Sequence, residues 1–271
     1  MRIKYVIPTK MHSDFINAGM HKLLCQALKV HGEVSIVDSS PDIVHVFGVW
    51  SNAYAKLVEK LRSVGIPVVF TSINGMAELK NSEGHTTNNI YTRRALRSIA
   101  KNGATIHVCG NFEAATVSHI YKYASISLIT NPLFTSTTNN DFMVTKFMQL
   151  YLSVVERNDK NIKESIRSLV KKAGVENKEI AEICSRIIYI QKRFIMENIP
   201  LDYLEQTSAV MISSDYDEKE MRKTLETLHI SKFASYTMAL LSSKAKLTEG
   251  FMPIESIGGK TVEKMEKVII L

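Results

Sequence analysis

Disulfides, metal clusters and membrane spans have little to be built from in this chain. It carries 3 cysteines in 271 residues, and Cys25, Cys109 and Cys184 are scattered and odd in number. That excludes a disulfide framework and any cysteine-based metal spacing, and it fits a reducing cytoplasm. No apolar run approaches the roughly 18 residues that a membrane span requires. The opening residues 1–8 hold only a short apolar stretch with no cleavage signature, so they read as a strand and not as a signal peptide. The sequence has no P-loop, no G-x-G-x-x-G and no aromatic-basic RNA motif, so nothing in it points to nucleic acid. Repeats and low-complexity tracts are absent too.

What is there is the make-up of a globular protein: 45% hydrophobic and 23% charged residues, enough apolar material for a sizeable core. The formal net charge of +7 favours anionic partners, although an ordinary basic protein has the same balance.

The first half alternates strand and helix. Strands are predicted over 3–7, 33–38, 43–47, 68–72, 105–108 and 126–129, and helices over 19–30, 51–63, 88–101 and 111–121. The runs at 43–47 and 68–72 are almost wholly apolar, which marks strands buried on both faces. Gly65-Ile66-Pro67 stops the second helix. This alternation predicts an α/β fold with a Rossmann-like parallel sheet and helices on both faces. From residue 140 the period changes to that of helices, predicted over 140–156, 160–172, 178–198, 217–228 and 231–243. A mainly helical C-terminal region follows, and no second Rossmann domain is expected. The small polar run at 135–140 is the natural linker, giving domains 1–135 and 140–271.

A buried strand that ends in Gly48 and turns into a helix at Trp50-Ser51 is how α/β domains present a ligand crevice. Parallel strands expose their carboxyl ends on one edge. The loops after the first, third and fourth strands should therefore line one pocket, with Lys10, Gly48, Trp50, Ser51, Asn74 and Gly75 as substrate-binding candidates. Trp50, the sole tryptophan, suits either sugar stacking or a partly buried core position. His45 reads as a hydrogen-bonded core histidine in preference to a catalytic one. Asn111 as N-cap and Glu113 beside the helix dipole account for that helix start. Arg93, Arg97 and Lys101, with Arg94 adjacent, form a basic stripe that is either a solvated face or a contact for anionic lipid or polyprenyl phosphate. No catalytic residue is singled out, and no metal-ligand set.

Four segments carry a family resemblance. Residues 19–28 (GMHKLLCQAL) look like the first helix after a glycine-containing loop. Residues 42–51 (DIVHVFGVWS), 65–76 (GIPVVFTSINGM) and 108–113 (VCGNFE), with Ile129-Thr-Asn-Pro132 beyond, follow in order. Together they resemble the N-terminal domain of family 4 glycosyltransferases, with its "DIVHVHGLWS", "GIPVVVTPHGM" and "VTSxxE … IPNP" segments. The resemblance covers residues 1 to about 135. It implies a GT-B arrangement, in which the N-terminal domain holds the acceptor and a second Rossmann domain binds a nucleotide-sugar. The implied activity is hexosyl transfer from a sugar nucleotide, a co-substrate and not a resident cofactor, to a saccharide or lipid-linked acceptor. The implied setting is surface polysaccharide assembly in the cytoplasm, at the inner face of the membrane.

Two departures qualify what the resemblance implies. The family's "HG" is Asn74-Gly75 here, and an amide hydrogen-bonds but does not titrate near neutral pH. The donor domain is also unrecognisable after residue 140, so a donor-binding partner protein is one expectation and a non-catalytic, glycan- or partner-binding homologue is the alternative. Glu197 and Glu205 share the spacing of the donor signature "EPFGLVLLE", where glutamates contact the nucleotide-sugar. The proline is displaced and the signature's glycine is missing, so a helix end, a proline break and a short helix is the preferred reading.

Overall fold

The chain is described from a computed structural model, which covers residues 1–8, 20–28, 34–75, 89–130 and 140–270. Its organising strand is β3 (Ile43–Gly48), in which every residue is buried. A run without alternation can only be satisfied by a sheet covered on both sides. β3 is flanked by β1 (Arg2–Val6) and β4 (Val68–Ser72), then by β2 (Ser35–Ile36) on one side and β5 (Thr105–Val108) and β6 (Ser125–Leu128) on the other. The six strands run in the order β2-β1-β3-β4-β5-β6, and every pairing is parallel. This is the Rossmann-like α/β fold that the strand-helix alternation predicted.

The two sheet faces divide the apolar side chains with the period of two that a strand imposes. Val44, Val46, Val68, Phe70, Ile106 and Val108 pack with helices α2 (Asn52–Ser63), α3 (Ile90–Lys101) and α4 (Asn111–Ile120). Ile3, Ile43, Phe47 and Val69 face the opposite way, onto α1 (Met20–Leu28) and the start of α5 (Asn140–Lys172). α3 starts where Asn89 caps it, accepting the Thr92 N–H at 3.2 Å. α4 is capped by Gly110, not by Asn111 as the sequence suggested. Glu113, in the first turn, reaches back past the cap to accept the Cys109 N–H at 2.7 Å, which ties the incoming chain to the helix start.

α5 corrects the sequence reading. A break between 156 and 160 was expected, but the helix is continuous from Asn140 to Lys172. Asn158 does not compete with its own backbone there. Its amide donates to the Gly65 carbonyl at 2.9 Å and accepts from Arg62 at 2.8 Å. The turn beyond is supported by Lys163–Asp159 at 2.8 Å. Near the start of α5, Phe142 is 64% exposed, while Met143 and Val144 are buried.

The chain divides into two compact units, Met1–Asn158 and Asp159–Leu271. The division falls within α5, because Met143, Val144, Phe147, Leu150, Tyr151 and Val154 all belong to the core beneath the sheet. The linker expected at 135–140 lies almost entirely outside the described residues. The second unit holds α6 (Lys178–Ile195), α7 (Leu201–Ser213), α8 (Glu218–Thr227), α9 (Ser231–Ala245) and α10 (Lys260–Lys267). They close on an aliphatic cluster that includes Ile183, Ile187, Leu204, Met238, Leu241 and Met265. Each such side chain contributes about 1.5–3 kcal/mol by burial. Among the described residues the unit's only strands are β7 (Ile199–Pro200) and β8 (Ile269–Ile270), one short parallel pair. It is helical, as expected, and no second Rossmann sheet is present among those residues.

Candidate functional site

The strand order reverses between β1 and β3, and in open parallel sheets the crevice beyond the carboxyl ends at such a reversal is where ligands bind. Two turns meet there. Gly48, the last residue of β3, accepts the Ile73 N–H at 2.8 Å. Trp50 then donates its indole N–H to the Gly75 carbonyl at 3.0 Å. The turns after β3 and β4 are thereby pinned together on one edge, and they carry Gly48, Trp50, Ser51, Asn74 and Gly75 with them. Lys10, the remaining candidate, lies outside the described residues.

These five residues differ in what they offer a ligand. Trp50 is 4% exposed and packs on Phe70 with ring centroids 5.0 Å apart. Of its two anticipated roles, that of core aromatic is the one its position supports, and it has no open face for a sugar. Gly48 is buried because the Tyr54 ring occupies the space where a Cβ would stand, 2.8 Å away. Gly75 is buried at φ 54°, a turn conformation that favours glycine. Ser51 and Asn74 are partly exposed. The edge therefore presents a hydroxyl and an amide on a scaffold held by the three buried residues. Such groups orient a polyhydroxylated ligand by hydrogen bonds and carry no titratable proton near neutral pH.

α3 begins on the same edge, since it must return the chain to the amino end where β5 starts. Arg93, Arg94 and Arg97 line a pocket of about 330 Å³ there, together with Ile90. Arg97 is committed to the protein through two hydrogen bonds, at 3.3 and 3.2 Å, to the Ile120 carbonyl. No carboxylate among the described residues pairs with any of the three. The fourth member of the stripe, Lys101, is exposed one turn further along but does not line the pocket.

Sequence reasoning missed a buried polar chain beneath this edge. Tyr5, Tyr151, His45, Thr71 and His107 are linked in that order, by contacts of 3.3, 2.6, 2.7 and 2.9 Å. The last, His107, reaches the Ile129 carbonyl through Nε2 at 2.9 Å. A carbonyl only accepts, so His107 Nε2 carries the proton. Burial drives the His107 pKa down to about 4, partly offset by the bond to Ile129, and drives that of His45 well below its ordinary value, with His107 adding to the shift. Both rings are therefore neutral, and every direction follows. Thr71 donates to His107 Nδ1, His45 Nε2 donates to Thr71, Tyr151 donates to His45 Nδ1, and Tyr5 donates to Tyr151. Burial accordingly raises the pKa of both tyrosines. The chain ties β1, β3, β4, β5 and α5 together with its inner polar atoms satisfied. His45 is thus the hydrogen-bonded core histidine the sequence suggested. The signal that might have exposed the rest was a pair of histidines in otherwise apolar strands, at 45 and 107, but joining them requires the register.

Glu197 and Glu205 lie in the second unit. Glu197 is exposed at φ 58° just past α6, Pro200 caps α7, and Glu205 is exposed on that helix. This is a helix end, a proline break and a second helix, with only the two-residue β7–β8 pair beside them and, among the described residues, no Rossmann sheet on which the donor signature would sit. Among the described residues no cluster of His, Cys, Asp or Glu has the arrangement of a metal site, and no helix is long and apolar enough to cross a membrane. No protein-family model matches the chain, and comparison with curated proteins and with solved structures finds no match.

Proposed function

We propose that the chain is a glycosyltransferase-like protein that holds a saccharide or lipid-linked acceptor on the carboxyl edge of its sheet. The observation that carries this reading is the pinning of the β3 and β4 turns by the Trp50–Gly75 hydrogen bond, which holds the turns that carry Ser51 and Asn74 together on the carboxyl edge, next to the strand-order reversal. Ser51 and Asn74 bind acceptor hydroxyls, and the sugar nucleotide is supplied by a partner chain. The helical character of the second unit motivates that division of labour. One alternative has its own support: Asn74 cannot serve as a general base, so a non-catalytic homologue that binds a glycan or a partner enzyme fits the same edge.

The arginine pocket adds a place of work. Ile90 and Tyr91 are 51% and 79% exposed beside Arg93 and Arg94. Apolar and cationic side chains together suit the anionic inner face of a membrane, where each cation contributes up to about 1 kcal/mol.

Thermal stability measured with UDP-, GDP-, ADP- and dTDP-sugars and with acceptor oligosaccharides tests these readings. A ligand at 100 times its dissociation constant adds about 2.7 kcal/mol. Stabilisation by a saccharide alone supports the acceptor-side reading. Stabilisation by one sugar nucleotide alone shows that no partner is needed, and no response to any of them removes the acceptor-side reading and leaves the homologue that binds a partner enzyme. Flotation with anionic vesicles at low salt, reversed at roughly 0.5 M salt, tests the membrane face.

A further inference from the structure

The opposite margin of the sheet holds a second feature. A groove of about 400 Å³ is lined by the four residues of β6 and Ile129 beyond it, by Thr105 of β5, and by Lys146, Gln149, Leu150, Ser153, Val154 and Arg157 of α5. Successive strand residues point to opposite faces. A cavity that touches all of them can do so only along the strand's main chain. Among the described residues β6 pairs with β5 alone and is the edge of the sheet. The Ile129 N–H points inward, to the Val108 carbonyl at 3.0 Å. By alternation, the N–H and C=O groups of Ile126 and Leu128 point outward into the groove. Leu128 is 46% exposed. The far wall is one stripe of α5, with Leu150 and Val154 as an apolar floor and exposed Lys146 and Arg157 at its two ends, Arg157 using one of its five N–H groups to donate to the Thr105 hydroxyl at 2.9 Å.

We infer that this groove binds an extended acidic segment of another protein, added to the sheet as a seventh strand along β6. The inference does not depend on the proposed glycosyltransferase-like activity. Outward main-chain groups on one wall, without a partner strand among the described residues, call for a polypeptide in strand conformation. The charge selects its sequence. Lys146 and Arg157 stand eleven residues apart on a helix, or about 16 Å. That distance is spanned by about five residues of extended chain. No carboxylate among the described residues lines the groove. The chain's own residues 131–139 contain no acidic side chain to fill that role. A second copy paired edge to edge would set its Lys146 and Arg157 against the same two cations.

The test uses the full chain and three labelled peptides of one β-prone pattern. The first has glutamates four residues apart, the second has lysines in their place, and the third is the glutamate peptide with alternate backbone nitrogens methylated. Fluorescence anisotropy should show binding of the first and at least tenfold weaker binding of the other two. Lys146→Glu should weaken the glutamate peptide by tenfold or more and improve the lysine peptide. Leu128→Pro removes one outward N–H without touching the inward ladder. It should weaken binding similarly, with the melting temperature checked to confirm the fold. Equal binding of the methylated peptide would overturn strand addition. Equal binding of the lysine peptide, or indifference to Lys146→Glu, would overturn the acidic partner. Failure of the glutamate peptide to bind at millimolar concentration, or a concentration-dependent dimer abolished by Leu128→Pro, would overturn the inference as a whole.

Discussion

The two units solve the problem of a unique core in different ways. In the first, a line of polar side chains from Tyr5 to His107 runs through the interior and fixes which strand meets which, and where α5 lies. In the second, the interior is an aliphatic cluster around Ile187 and Leu241. Buried polar side chains there bond to main-chain carbonyls close in sequence, as Arg193 does to Asn198 at 3.1 Å and Thr207 to Tyr203 at 2.7 Å, and Arg186 and Lys163 lie over the Tyr203 ring at 5.2 and 6.0 Å. A hydrogen-bonded interior specifies register at the risk of leaving a group unsatisfied. An apolar one depends on filling space. The first unit should therefore respond to protons and to lost donors, and the second to lost volume.

The largest effect expected is in the second unit. Ile187→Ala removes a fully buried side chain and should cost about 2–5 kcal/mol by denaturant unfolding, through transfer and cavity terms together. A loss well under 1 kcal/mol would mean that this core is loosely packed.

Acid should single out the first unit. His107 is neutral when folded, with a pKa near 4, while in the unfolded chain it takes up a proton below about 6.5. The unfolded state then binds more protons, so this contribution is fully present above about pH 6.5 and is lost as the pH falls toward 4. The loss is about 3 kcal/mol for His107, and His45 adds to it in the same direction. The described buried histidines, 21, 45 and 107, are all in the first unit. Hydrogen exchange between pH 7 and 4 should show protection falling in β3, β4 and β5 before it falls in α6 and α9. Simultaneous loss in both units would break the comparison.

Tyr151→Phe keeps the ring and removes the donor to His45. It should cost about 1–3 kcal/mol, the penalty of an unsatisfied buried acceptor, read by denaturant unfolding at pH 7. The smallest effect is local to the second unit. Asn177 caps α6 by accepting the Glu179 and Ile180 N–H groups at 3.0 and 3.2 Å. Asn177→Ala should cost about 1 kcal/mol, seen as a drop in melting temperature at both pH 7 and pH 5.

What the sequence disclosed follows the same division. β3 and β4 were legible because strands buried on both faces are written as uninterrupted apolar runs, and α6, α8 and α9 because a helix's burial repeats along its own residues. The continuity of α5 past Arg157-Asn158-Asp159 was not legible, because Asn158 is helical only by virtue of partners far off in sequence, at Gly65 and Arg62. The His45–Thr71–His107 chain was hidden for the same reason, since it exists only once three strands are in register. At the candidate site, the shared edge followed from topology alone. Whether Trp50 faced a ligand or the core depended on Phe70 and the Gly75 carbonyl, which periodicity does not report. The β7–β8 pair is too short to leave a pattern.

The central functional claim is that the carboxyl edge of the first unit, and not the helical unit, takes the ligand. Amide chemical-shift mapping by NMR with an acceptor oligosaccharide tests it most directly. The account predicts shifts confined to the turns after β3 and β4, at Ser51, Asn74 and Gly75, which Asn74→Ala weakens, with the amides of α6 to α10 unmoved. Shifts centred on Glu197 and Glu205, or anywhere in the second unit with the β3 and β4 turns silent, would contradict it.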